Sequence, residues 1–300
     1  MIVLSLFDGI SCGRVALERA GIPVTRYMAS EIDKYAMKVS AHNYPDIVQL
    51  GCVKYVRALA EMGDLGHVDL LIGGSPCQGF SFAGKQLAFD DPRSALFFDY
   101  VAILKALRID NPNIKFLLEN VKMKKEYLAV ISDQLGVQPV CINSALVSAQ
   151  NRVRYYWCNW PVSQPEDKGI LLRDIIDSGA VDREKSYCID ANYFKGGNEK
   201  SYFEKGRRQL VCASMVGRKI NPETGKRDDY NPKLSAQQRL EIRDDEKTNC
   251  LTSVQKDNYI ADGLTYRKLT PIECERLQTL PDNYTAAVSN TQRYKCLGNG

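Results

Sequence analysis

The sequence predicts an α/β protein, a doubly wound and mostly parallel sheet interrupted once by a smaller inserted module. Three observations carry this. Short apolar runs alternate with helical periodicity through the first 160 residues, the pattern of parallel strands and crossover helices. Several of those runs stop at a glycine or an acidic residue, as strands do at the ligand-bearing edge of such a sheet. Between residues 165 and 263 the apolar runs shorten, and Gly196-Gly197, Gly206, Gly217 and Asn221-Pro222 punctuate the chain as in a turn-rich module. The expected domains are 1–164, an inserted region 165–263, and 264–300 as a return to the first.

Taken in order, residues 1–7 read as the first strand, broken by Asp8-Gly9. Ser11 is the expected cap of a helix over 12–20, and Gly21 suits the left-handed position after its end. Residues 24–29 form the next strand, which closes on Glu31. Residues 68–72 make a short strand ending in Gly73-Gly74-Ser75-Pro76-Cys77, and 114–118 another ending in Glu119-Asn120. Alternation over 150–157 puts Arg152 and Arg154 on one face of a strand. Helical periodicity resumes over 267–280, with Thr270 as a cap before Pro271 and Glu273 three residues on.

Composition narrows the class. Of 300 residues, 44% are hydrophobic and 25% charged, which supports a sizeable core and excludes a disordered chain. The net charge of +4 is too small for a polybasic tail, but thirteen Lys/Arg against nine Asp/Glu give the segment between Lys195 and Lys247 a local +4, equal to the excess of the whole chain. The ten cysteines are never closer than 17 residues, which excludes CxxC zinc and redox pairs and points to a reducing compartment. No metal site is expected. The apolar start is too short for a leader and no window approaches a membrane span, so no membrane association is expected. Only His42 and His67 are present, so histidine chemistry is poorly supplied. Nothing here sets an oligomeric state.

Four constellations could carry chemistry. The turn Asp8-Gly9-Ile10-Ser11-Cys12-Gly13 with Glu31 about 20 residues on suits a nucleoside whose ribose hydroxyls meet an acid. It lacks GxGxxG, which argues against a bridging pyrophosphate and against a nicotinamide oxidoreductase; a tight turn with a solvated Glu31 is the plain alternative. Pro76 stiffens a glycine-flanked loop and limits where Cys77 points, as a nucleophile requires, although a lone loop cysteine is more often structural. Parallel strands bring Glu119 to the crevice that holds Cys77, where a partly desolvated carboxyl serves as an acid. Arg152 and Arg154 repel each other unless an anion, carbonyl or carboxylate answers them; a solvated edge is the alternative.

These pieces occur in a familiar order. Ser5-Leu6-Phe7-Asp8-Gly9, Ala29-Ser30-Glu31, Gly73-Gly74-Ser75-Pro76-Cys77, Leu96-Phe97-Phe98, Leu118-Glu119-Asn120-Val121, Arg152-Val153-Arg154-Tyr155-Tyr156-Trp157, residues 269–278 and Leu297-Gly298-Asn299-Gly300 resemble the cytosine-C5 DNA methyltransferases. The likeness is greatest to the catalytic domain of the animal de novo enzymes, and compact phage and bacterial enzymes share the pattern. The resemblance implies the Rossmann-like S-adenosylmethionine-dependent methyltransferase fold, double-stranded DNA as partner, and S-adenosyl-L-methionine as cofactor. It implies restriction-modification as one setting and a cytoplasmic location, or a nuclear one in a eukaryote. Carried over by residue, it implies Cys77 as the nucleophile on C6 of a flipped cytosine, Glu119 as donor to N3, Arg154 on the base O2 and Arg152 in support. Phe7, Asp8, Gly9, Ile10 and Ser11 would line the methionine side of the cofactor, with Glu31 on the ribose and Ile32 on the adenine. Cys52, Val53, Pro76 and Asn299 complete the expected cofactor set.

The inserted region matches the family's target-recognition region, and Tyr193, Phe194, Tyr202 and Phe203 among its cations suit base stacking or, alternatively, a small core. Two departures stand out. The adenine turn reads Gly51-Cys52-Val53 where the family has Gly-Asp, and the family continues past Gly300 into a helix beside the first turn, so the chain is expected to end one helix early. A tRNA cytosine-C5 methyltransferase lacks support because its Cys-Phe-Thr tripeptide is not found. A catalytically weak DNA-binding paralogue is the other alternative.

Overall fold

The computed structural model describes residues 1–76, 95–177, 179, 181–197, 200–212, 215–218, 221, 231–233, 237–240 and 266–299. Cys77, Gly300 and most of the inserted region after Cys212 lie outside the described residues.

Seven strands form the main sheet: β1 Ile2–Leu6, β2 Arg26–Ser30, β3 Val48–Gln49, β4 Leu70–Gly73, β5 Lys115–Val121, β6 Val140–Asn143 and β7 Val153–Cys158. Their spatial order is β3-β2-β1-β4-β5-β7-β6, with every pairing parallel except those of β7, which runs antiparallel to both neighbours. Helices α1 Cys12–Arg19, α2 Lys34–Asn43, α3 Val53–Met62, α4 Ala95–Asp110 and α5 Lys125–Leu135 connect the strands. Alternation divides β1 between two cores: Leu4 and Leu6 face α3, α4 and α5, while Val3 packs with Leu17, Tyr27 and Ala29 on the opposite face. The expected doubly wound sheet is therefore present.

Three local expectations are corrected. Ser11 occupies the position before α1 but is left-handed (φ 63°), and its hydroxyl does not cap the helix because it is engaged by Asp8 and Ser40. Glu119 and Asn120 do not end a strand: β5 continues to Val121 because β7 pairs with it through Glu119–Tyr156 and Val121–Arg154. Residues 266–268 are a strand, β11 Tyr266–Lys268, paired with β8 Leu210–Cys212, so the helix α6 begins only at Pro271. Its start follows expectation, with Thr270 and Glu273 forming a reciprocal capping box. A further hairpin joins β9 Met215–Arg218 to β10 Gln237–Leu240.

A second buried cluster unites Ile10 and Val15 of the first turn and helix with Leu172, Ile189, Tyr193 and Val211 of the inserted region and with Leu277, Tyr294 and Leu297 near the C-terminal end. Its last helix, α7 Asn290–Asn299, approaches the 190–191 backbone so closely that a Cβ on Gly298 would sit 2.2 Å from the Asp190 carbonyl carbon. Tyr193 and Tyr202 are fully buried; the Tyr193 hydroxyl donates to the Gln209 carbonyl and accepts from the Leu269 amide. Both are core residues, which corrects their reading as stacking groups.

Behind α6, the buried Glu275 accepts from the amides of Asn283 and Thr285, the Thr285 hydroxyl and the Arg293 guanidinium at 2.8 Å. Removing one member leaves an uncompensated buried charge, so Glu275→Ala is expected to lower unfolding free energy by about 3–5 kcal/mol in urea titration. Arg276→Ala, which breaks exposed pairs to Asp177 and Asp282, is expected to lose less than about 1 kcal/mol.

Candidate active site

Register builds the site. Leu6 pairs with Ser30 on one side and Gly73 on the other, and Gly73 pairs with Leu118. The next residues, Glu31, Phe7, Gly74 and Glu119, therefore stand in one row at the carboxyl edge. At roughly 4.8 Å per strand spacing the row runs about 14 Å from Glu31 to Glu119. Glycine is required at 73, where a Cβ would lie 2.9 Å from the Leu6 carbonyl oxygen, and a Cβ on Gly74 would lie 3.0 Å from Glu119 Oε2 and push that side chain aside.

At one end of the row, the turn after β1 places Phe7, Gly9 and Ser11 in the left-handed region, with φ of 57°, 60° and 63°. Glu31 ties β2 to that turn. Its Oε2 accepts from the Gly9 amide at 2.8 Å, and its Oε1 accepts from the amides of Ile32 and Asp33. The Ile32 side chain is 77% exposed beside it. Asp8 and Ser11 turn their side chains toward each other and Tyr27, and burial pushes the Asp8 carboxyl up. Ile10 is in the second core and its carbonyl accepts from the Tyr284 hydroxyl at 2.7 Å. Burial, then the Asp8 charge, push the neighbouring Cys12 thiol up to about 11.

The adenine-turn candidates divide. Cys52 is exposed and gives no side-chain cap to α3, whereas the Val53 side chain is buried in the first core. Any contact from Val53 is then a backbone contact. Ser30 Oγ donates to the Gly51 carbonyl at 2.8 Å and holds this turn against β2. Asn299 is exposed at the end of α7, whose Cys296 and Leu297 pack in the same core as Ile10.

At the other end, Arg154 Nε lies 2.8 Å from Glu119 Oε1, yet its N–H is not aligned on an acceptor, so the contact is ionic rather than a hydrogen bond. Glu119 is partly desolvated, its side chain 34% exposed, and it is ion-paired because β7 brings Arg154 diagonally across from it. Arg152 precedes β7 and reaches elsewhere, donating to the Ile189 carbonyl at 3.5 Å and lying 3.7 Å from the Cys188 sulfur. Arg154 thus meets a carboxylate, and Arg152 a backbone carbonyl of the inserted region. Pro76 is half-buried and is the last described residue before Cys77.

Sequence reasoning gave no role to four contributors. Asn120 is buried, and its Nδ2 donates to the Ser75 carbonyl and hydroxyl, each at 3.3 Å, tying β5 to the loop that precedes Cys77. Gln150 bridges the Ile189 amide and the Leu277 carbonyl. Tyr27 and Ser40 reach beneath the first turn. Only an amide next to a site carboxylate, as in Glu119-Asn120, gave a signal; the others depend on contacts made by the fold.

The description "C-5 cytosine-specific DNA methylase" belongs to the family model that matches residues 1–138 and 140–300. The chain is 30% identical over 328 residues to the type II methyltransferase M1.ScrFI of Lactococcus lactis subsp. cremoris, covering 99% of this chain and 74% of that one. It is 29% identical over 319 residues to the type II methyltransferase M.HpaII of Haemophilus parainfluenzae, covering 99% and 84%. Among solved structures, a mutant of Spodoptera frugiperda DNMT2 shares the fold, with a TM-score of 0.59, 19% identity and coverage of 99% of this chain and 94% of that one. The extent of the family match shows that this chain belongs to the C-5 cytosine-specific DNA methylases.

Proposed function

We propose that the chain is a DNA (cytosine-5-)-methyltransferase acting on double-stranded DNA with S-adenosyl-L-methionine, as expected of type II modification enzymes. The observation that carries the reading is the row of strand ends, which offers a nucleoside-sized edge at Glu31 and an acid beside a Pro-Cys loop at Glu119. The residues fit the cofactor. Glu31 presents a carboxylate to ribose hydroxyls, the exposed Ile32 offers an apolar face to adenine, and the turn around Gly9 leaves backbone close to the edge. When bound, S-adenosylmethionine supplies the electrophilic methyl group.

Cys77 acts on the base. Its thiolate forms a bond to C6, and Glu119, having taken up a proton from solvent as the base enters, gives that proton to N3, so the charge that develops in the ring is quenched while C5 becomes an enamine carbon. Arg154 holds the base O2 and already lies against Glu119, so one guanidinium orients both acid and base. Once C5 carries its methyl group it loses its proton to solvent and expels the Cys77 thiolate, while N3 returns its proton to Glu119, which restores the neutral aromatic ring. A base within a duplex is out of reach of Cys77 and must leave the stack, at a cost of a few kcal/mol. The local +4 of residues 195–247, within the inserted region, supports phosphate contact during that step.

DNA carrying 5-fluorocytosine at the target is expected to trap a stable covalent complex, because fluorine at C5 blocks the final proton loss. Cys77→Ser should abolish the complex, and a variant that still traps would sink the assignment. Gly74→Ala tests the geometry separately. Its Cβ would displace the Glu119 carboxylate, so methyl transfer under saturating conditions is expected to slow by about tenfold to a hundredfold. Unchanged turnover would mean that the Glu119 position does not matter.

A further inference from the structure

We propose that Tyr27 and Ser40 are positioning residues for cofactor binding, acting through Asp8 and Ser11 to hold the left-handed turn that lines the edge; this rests on the S-adenosylmethionine reading above. Five polar side chains run beneath that turn, and their order is fixed by donor logic. An ionised Asp8 only accepts. Ser11 Oγ therefore donates to Asp8 Oδ2 at 2.5 Å, and Tyr27 OH donates to Oδ1 at 2.8 Å. With its proton committed, Ser11 accepts in its 2.6 Å contact with Ser40 Oγ. Ser40 in turn accepts from Gln49 Nε2 at 3.3 Å. The chain thus links β3, α2, the first turn and β2, with Ser11, Ser40 and Tyr27 fully buried.

The turn needs such a clamp. Phe7 and Ser11 are left-handed without being glycine, a conformation that L side chains disfavour, and Ser11 forgoes the helix cap its hydroxyl would otherwise make. Burial pushes the Asp8 carboxyl up, and the Ser11, Ser5 and Tyr27 hydroxyls oppose that effect. Asp8 therefore stays a useful anchor only while its donors are present. Ser11 and Asp8 sit inside the turn itself. Tyr27 and Ser40 lie one layer below and are hydrogen-bonded to them.

Calorimetric titration of the full chain with S-adenosylmethionine, without DNA, tests this. A hydrogen bond to a charged group corresponds to about tenfold or more in an equilibrium constant and a neutral one to less, so Tyr27→Phe is expected to raise the cofactor Kd by about tenfold or more and Ser40→Ala by about threefold to tenfold. In DNA methylation, cofactor KM should rise more than kcat falls. The double variant should bind about as weakly as the weaker single variant, because both substitutions release the same clamp. If Ser40→Ala does not fold, Tyr27→Phe, which keeps the ring and loses one hydroxyl, carries the test. A Kd within about twofold of wild type, or a lowered Tm with Kd unchanged, overturns the inference and leaves the cofactor reading intact. Absence of binding by the wild-type chain overturns both.

Discussion

The close approach of β1, β4 and β5 at their carboxyl ends is the constraint on which the site depends. Two glycines make it possible. With Gly73 against the Leu6 carbonyl and Gly74 against the Glu119 carboxylate, the strands end level instead of staggered. A parallel sheet brings strand ends to one edge in any case, but without side chains at 73 and 74 the acid of β5 also lies directly against the chain leading to Cys77. Asn120 then fastens that chain through Ser75, and the antiparallel β7 adds Arg154. One local approach thus sets the positions of Glu119, Arg154 and residues 73–76 relative to the turn that follows β1.

Much of the fold was legible in the sequence because its signals are local. The strand after Met1, the positive-φ Gly21, and the Thr270-Pro271-Glu273 cap follow from residue type and spacing alone. What escaped is pairing between distant segments. Residues 114–118 look complete as a strand, but β7 lends partners to Glu119, Asn120 and Val121 and lengthens it. Ser11 carries the signature of a cap, yet a buried carboxylate three residues earlier competes for its hydroxyl and wins. Glu119 and Arg154 were both visible as candidates, whereas their ion pair depends on a register that no single segment encodes.

The inserted region shows the same division. The positive charge of its 195–247 stretch is a sequence property, but the roles of its aromatics are decided by packing. Tyr193 lies between β8 and α7, where burial removes it from any base, and Lys268 reaches the Phe194 carbonyl beside it. Because Ile189, Tyr193 and Val211 share a core with Ile10 and Leu297, the near part of this region and the first turn are packed as one body. Arg152 joins the same assembly through Ile189.

The central claim is that this edge serves one reaction, transfer of a methyl group to cytosine C5 in duplex DNA. Bisulfite sequencing of a plasmid incubated with the purified chain and S-adenosylmethionine tests it most directly. The account predicts protected cytosines that recur in one sequence context and vanish when the cofactor is withheld. Complete conversion of every cytosine, from a preparation that binds both cofactor and DNA, would contradict it.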